Sequence, residues 1–243
     1  MNLAGKTALV TGGAVRVGRA LLLALADAGA NVVVNYHHSG EDAEKLVQQL
    51  RTQQRRATAF RADVSRAGDV AALVEHIGRE YGQLDILVNS ASLFESAPFA
   101  DITEAAWRRV LDVNLTGPFL VSQAAIPLLR AAAPANIVNI LDLSALQPWP
   151  SYAHHSVSKA GLLQLTKVMA RALAPEIRVN AIAPGTVLPP DGYDGTAGDG
   201  TSDRRLVAPA GTPDDVVKAL FFLIESEFIT GQTIVVDGGR MLL

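Results

Sequence analysis

No cysteine occurs among the 243 residues. That excludes a disulfide-stapled scaffold, a thiolate nucleophile and a cysteine-held metal. No apolar stretch approaches the roughly 20 residues a bilayer-spanning helix needs, so no membrane partner is expected. The opening MNLAGKTALVTGG lacks the charged-then-apolar order of a secretion signal, which makes the cytoplasm the expected location. Positive charge is not in surplus either, since 21 Lys and Arg stand against 24 Asp and Glu for a net charge of −3. No basic field therefore invites nucleic acid or an anionic membrane. The chain also lacks any repeat, linker or low-complexity tract that would divide it.

What is present is a regular alternation. Short β-rich apolar runs at Thr7–Thr11, Asn31–Tyr36, Ala57–Ala62, Ile86–Asn89, Asn136–Leu141, Arg178–Ile182 and Thr233–Val236 are separated by amphipathic stretches of helix length. These stretches lie at Arg16–Ala28, Gly40–Gln53, Ala67–Tyr81, Thr103–Ala132, Ser156–Leu173 and Asp214–Leu223. Strands alternating with helices predict an α/β fold, a Rossmann-type doubly wound parallel sheet of about seven strands covered by helices on both faces. We read residues 1–243 as one domain.

The first strand runs into Thr11-Gly12-Gly13-Ala14-Val15-Arg16-Val17-Gly18 and then a helix. Glycines at such a turn let backbone approach a pyrophosphate at the helix N-terminus, which predicts a dinucleotide site at Gly12, Arg16 and Val17. A third glycine is commoner where Arg16 stands; a cation there suits a phosphate or a polar substrate group. The second strand ends Asn35-Tyr36-His37-His38-Ser39, without the carboxylate that holds an unphosphorylated ribose. Donors and cations instead suit the extra phosphate of NADP, so NADPH is the expected cofactor.

Other strand ends add candidates. Asp63-Val64 follows the third strand and Asn89-Ser90-Ala91-Ser92 the fourth, where adenine and ribose lie in such folds. Phe94 is placed to stack on a flat ligand, and Asn114 puts a polar amide inside an apolar helical run. After Pro184-Gly185 comes a stretch rich in Pro, Gly and Asp, read as a substrate lid near 186–210. Between the fifth strand and the next helix lies DLSALQPWPSYAHHSVSK, Asp142 to Lys159. His155 and Lys159 are four apart, hence on one helix face. The adjacent His154 and His155 point about 100° apart on a helix, so no metal is expected. If the helix already includes Tyr152, its ring would stand about 10 Å along the axis from Lys159, which makes it a bystander.

Taken together, Thr11–Gly18, Asp63, Asn89-Ser90-Ala91, Asn114, Lys159 and Pro184-Gly185 resemble the short-chain dehydrogenase/reductase family over essentially the whole chain. The closest likeness is to its pteridine reductase branch, through Arg16, the Asn35–Ser39 loop, Ser92, Phe94 and Asp142. The resemblance implies NADPH-dependent reduction of a pterin or folate ring in a homotetramer built through the helices at Thr103–Ala132 and Ser156–Leu173. It implies that His38 contacts the 2′-phosphate, that Ser92 and Phe94 bond and stack the pterin, and that Asp142 stands where most members carry a serine. Lys159 then clamps the cofactor ribose and Asn114 joins the catalytic set. The departure is at His155, because the family pattern is Tyr-x-x-x-Lys. The thirteen positions from Asp142 to His155 equal the family's serine-to-tyrosine spacing, so the two should meet and share the proton-donating role. Two other readings stay open: a reductase of 3-oxoacyl thioesters or other ketones, and a non-catalytic NADP-binding protein.

Overall fold

Strands made of unbroken apolar runs need cover on both faces, which helices at every crossover supply. The computed structural model describes residues 3–188, 205–207 and 210–243. Its seven parallel strands are β1 (Thr7–Val10), β2 (Asn31–Tyr36), β3 (Ala57–Arg61), β4 (Ile86–Asn89), β5 (Ala135–Ile140), β6 (Ile177–Pro184) and β7 (Thr233–Val236). They lie in the order β3-β2-β1-β4-β5-β6-β7. The helices are α1 (Arg16–Asp27), α2 (Gly40–Thr52), α3 (Ala67–Tyr81), α4 (Glu104–Leu111), α5 (Gly117–Ala131), α6 (Ala153–Leu173) and α7 (Pro213–Glu225). The doubly wound α/β expectation holds.

Side chains alternate across the pleat, and the core divides accordingly. Ala8, Val10, Val32, Val34 and Val88 join α1, α2 and α7 in one cluster, whereas Leu9, Val33, Leu87, Ile137 and Val179 join α3, α5 and α6 in the other. The strand order reverses between β1 and β4, which opens a crevice at their carboxyl ends. Among the described residues, no helix is long and apolar enough to cross a membrane.

Two expected helices differ in ways that bear on the site. The single helix expected over Thr103–Ala132 is two, joined by a wider π turn at Asp112–Thr116. The cause is local. Pro118 has no N–H for the carbonyl of Asn114, so Gly117 donates five residues back to Asp112 instead. Gly117 also lies against Val64, where a Cβ would come within 2.9 Å of Cγ2. Helix α6 begins at Ala153 rather than Ser156, so His155 and Lys159 do share its first turns. The expected lid near 186–210 falls mostly on residues 189–204 and 208–209, which lie outside the described set.

Beneath the crevice, a chain of buried amides crosses the sheet. Asn89 Nδ2 donates to Asn139 Oδ1 at 2.8 Å and Ser122 Oγ at 3.1 Å, and Asn139 Nδ2 donates to Thr166 Oγ1 at 2.8 Å. This ties β4 and β5 to α5 and α6. Replacing Asn139 by Leu leaves both neighbours' buried polar groups without it, so we expect Asn139→Leu to lose about 1–3 kcal/mol in urea unfolding. A loss under about 0.5 kcal/mol would mean that the ladder does not brace the helices.

Candidate active site

The turn after β1 has no room for side chains. Thr11 Oγ1 accepts from the N–H groups of Ser90 (2.9 Å) and Ala91 (3.1 Å), which draws the ends of β1 and β4 together. At Gly12 (φ +61) a Cβ would lie 2.9 Å from Ala91 Cα, and at Gly18 it would strike the Gly12 carbonyl oxygen. Arg16 opens α1 with φ 53, a left-handed conformation that explains why glycine is the commoner choice there. Its guanidinium donates to the Leu188 carbonyl at 2.7 Å. A side-chain-free cradle at a helix N-terminus fits a dinucleotide's phosphates.

Several predicted contact residues face inward instead. Asn35 is buried, receives the Gly12 N–H at 3.4 Å and donates to the carbonyl of Ala62 at 3.1 Å, so it shapes the glycine turn from behind. Asn89 belongs to the buried ladder. Tyr36 packs on the core and against Gly40. Val64 is buried. Asp63 is occupied by its own turn, its Oδ1 accepting from Ser65 N (3.0 Å) and Ser65 Oγ (2.6 Å), and its Oδ2 facing Arg66. His37 and His38 are exposed with rings 3.9 Å apart, and Ser39 precedes α2.

A cavity of about 580 Å³ runs from Gly12, Arg16 and Val17 past Ser90, Ala91 and Ser92 to Pro184 and Gly185. Phe94, Asp142, His155 and Lys159 open onto it. His155 Nε2 lies 2.6 Å from Asp142 Oδ2, as the thirteen-residue spacing predicts. His155 Nδ1 lies 2.9 Å from the Leu93 carbonyl oxygen. The Asn114 Nδ2 amide also approaches that ring nitrogen, at 3.2 Å. Asn114 sits behind it, fully buried. Its Oδ1 accepts from Leu93 N (2.7 Å), and its Nδ2 donates to Leu93 O (2.9 Å) and Ser158 Oγ (3.1 Å). Asn114 therefore positions His155 and the Leu93 backbone and does not line the cavity. Lys159 is buried and donates to the Ile140 carbonyl at 2.9 Å.

Tyr152, Trp149 and Arg240 are among the cavity residues that the sequence reading left out of the site. Tyr152 is outside α6, at φ −133 and ψ 39, so the axial-rise argument does not apply to it. Far from being a bystander, it stacks on Phe94 with centroids 4.5 Å apart and planes at 20°. Trp149 stands edge-on to both rings. Arg240, from the far end of the chain, donates to Thr186 Oγ1 at 3.1 Å and lies 5.8 Å from the Trp149 ring. The aromatic run WPSY was a usable signal for the first two; nothing local marks Arg240.

A family model described as Enoyl-(Acyl carrier protein) reductase matches residues 13–240. The chain is 35% identical to a 3-oxoacyl-(acyl-carrier-protein) reductase of Staphylococcus aureus, over 98% of each chain. It is 33% identical to glucose 1-dehydrogenase 2 of Bacillus subtilis, over 99% of this chain and 96% of that one. The chain belongs to the short-chain dehydrogenase/reductase family. A crystal structure of a gluconate 5-dehydrogenase from Burkholderia cenocepacia, in complex with NADP and tartrate, superposes on this short-chain fold with a TM-score of 0.91 at 30% identity. That match covers 100% of this chain and 97% of that one.

The charges of this short-chain site are interdependent. Burial pushes the Asp142 carboxyl up, but the hydrogen bond from His155, the charge of Lys159 and the bond from the Ser144 hydroxyl outweigh it and hold the group at about 2. Burial pushes the Lys159 ammonium down, and Asp142 partly offsets that. Because Asp142 binds its proton more weakly in the folded chain than in the unfolded one, its ionisation stabilises the fold above about pH 4. That contribution disappears as pH falls toward 2. We expect Asp142→Asn to be less stable than the parent near pH 7 by on the order of 2 kcal/mol. The gap should close between about pH 4 and 2, as followed by circular dichroism melts. A gap that stays constant with pH would dismiss the pair as a source of stability.

Proposed function

We propose that this chain is an NADPH-dependent reductase of a pterin or folate ring, with Asp142 and His155 jointly supplying the proton. The observation that carries the reading is that Phe94, 47% exposed, and the Asp142–His155 pair open onto the same cavity as the glycine turn. An aromatic platform beside a carboxylate suits a flat ring bearing N–H donors. Gly12, Arg16 and Val17 would hold the diphosphate, His38 and Ser39 the 2′-phosphate, and Ser90, Ala91, Pro184 and Gly185 the nicotinamide half. Asp63 and Val64 border the adenine end. The exposed histidines and the absence of a carboxylate after β2 support NADPH over NADH.

Bound NADPH supplies the hydride. The chain's own residues manage the proton. It sits between His155 Nε2 and Asp142 Oδ2, and its transfer to a substrate nitrogen or oxygen leaves a carboxylate beside a neutral imidazole. Lys159 keeps the carboxylate charged, while Asn114 and Leu93 keep the ring aligned. In the family pattern a tyrosine occupies this position, and His155 stands in its place.

A second reading, reduction of 3-oxoacyl thioesters or other ketones, is favoured by the names of the relatives. Assembly as a homotetramer is supported by exposed Phe119 on α5 and by Val157 and Val168, eleven residues apart on one face of α6.

The test is loss of NADPH absorbance with dihydrobiopterin, dihydrofolate or an acetoacetyl thioester. Turnover of either pterin is expected. Acetoacetyl turnover alone would establish the second reading, and tight NADPH binding without turnover would make the protein a non-catalytic binder. His155→Phe should lower turnover at least about 100-fold with NADPH affinity retained. Full activity in that variant, or an alkaline limb only near the tyrosine range of about 10, would remove His155 from the proton path. His38→Ala should weaken NADPH and leave NADH unchanged; an equal effect on both would place the 2′-phosphate elsewhere.

A further inference from the structure

A carboxylate that helps to deliver a proton must be held in one orientation before and after the transfer. The two oxygens of Asp142 have different partners. Oδ2 faces His155 Nε2 at 2.6 Å. Oδ1 accepts twice from Ser144, from its N–H at 2.9 Å and from its hydroxyl. An ionised carboxylate only accepts, so the single proton of that hydroxyl points to Oδ1. The N–H bond by itself caps the short turn Leu143–Ala145, and the hydroxyl bond is additional to it. Ser144 is 4% exposed and is not among the residues that line the cavity. His155 and Lys159 reach Asp142 from α6, and Arg16, Arg240 and Tyr152 line the same cavity.

We propose that Ser144 is a positioning residue for proton delivery: its N–H and hydroxyl hold Asp142 Oδ1, so that Oδ2 is the oxygen presented to His155. The inference rests on the reading that the Asp142–His155 pair supplies the proton, but not on which ring or carbonyl is reduced. While the proton lies between Nε2 and Oδ2, the carboxylate shares its charge with the imidazole. Once that proton has passed to a substrate nitrogen or oxygen, the imidazole is neutral and Asp142 carries its charge without that partner. The two bonds to Oδ1 persist, and no bond to Ser144 is made or broken. A hydrogen bond strengthens as its acceptor gains charge, so Ser144 favours the state in which the proton has left.

Ser144→Ala removes the hydroxyl and keeps the capping N–H, and Ser144→Thr restores a hydroxyl. Both are compared with the parent in the pH profile of kcat/KM at saturating NADPH. The substrate is whichever of dihydrobiopterin, dihydrofolate or an acetoacetyl thioester the parent reduces. We expect Ser144→Ala to lower the plateau about three- to tenfold and to move the alkaline limb up by about 0.5–1 pH unit, because the pair then holds its proton more tightly. The Kd for NADPH should stay within about twofold of the parent, and Ser144→Thr should bring the limb back toward the parent. NMR titration of the ring at position 155 in the NADP-loaded protein, assigned with His155→Phe, reads the same displacement without any turnover. A purely structural serine would lower the rate and leave limb and midpoint in place. That result, a midpoint that moves down, or an equal displacement in Ser144→Thr overturns the role. Failure of the underlying reading shows separately, as full activity in His155→Phe.

Discussion

A sheet of parallel strands buried on both faces leaves polar groups only two places: beyond the strand ends, or inside and bonded to one another. Both solutions are present, and the second supports the first. Within the sheet, Asn89, Asn139 and Thr166 bond in a line from β4 to α6. At the strand ends, Lys159 of the same helix bonds to the last carbonyl of β5. Helix α6 is therefore located against the sheet by directional bonds as well as by its apolar face. The positions of His155 and Lys159 depend on that location, and a helix held by apolar contact alone would leave their register less defined.

Electrostatics then limits which residues can occupy the site together. A protonated tyrosine is neutral, whereas a protonated histidine adds a cation beside the buried ammonium of Lys159. Two buried cations with only a serine for company would be strongly unfavourable. Asp142 supplies an anion 2.6 Å from His155, and its low proton affinity reflects the hydrogen bond with that ring and the charge of Lys159. Aspartate at 142 and histidine at 155 are thus physically coupled. Asp142 is 21% exposed on its side chain, so the pair reaches the cavity and is not sealed beneath it.

The strands, the glycine turn and the Asp142–His155 contact were legible because each rests on local periodicity or fixed spacing. The errors arose where a third dimension intervened. Asn35 was read as a ligand donor because it follows an apolar run, yet it shares the pleat face of Val33 and turns inward. Asp63 looked available until the turn with Ser65 occupied it. The helix over Thr103–Ala132 looked continuous because periodicity does not register one missing N–H at Pro118. Tyr152 was misplaced by assuming it lay within α6. Arg240 approaches the site through the fold of the C-terminal turn, a tertiary fact with no counterpart in nearby sequence.

The stack of Tyr152 on Phe94 limits how any flat ring could approach the platform. With planes at 20° and centroids 4.5 Å apart, Tyr152 already covers one face of Phe94. A ligand ring must use the remaining face or displace the tyrosine. Phe94 is the fixed partner, because the adjacent Leu93 backbone is bonded at both N–H and carbonyl to Asn114. Tyr152 ends the three-residue turn Pro150–Tyr152 and precedes the regular part of α6. Displacement would exchange one aromatic stack, worth about 0.5–1.5 kcal/mol, for another of the same kind. Stacking then contributes little net discrimination. Under the pterin reading, selection among flat substrates falls to the polar groups around the ring, Asp142 among them.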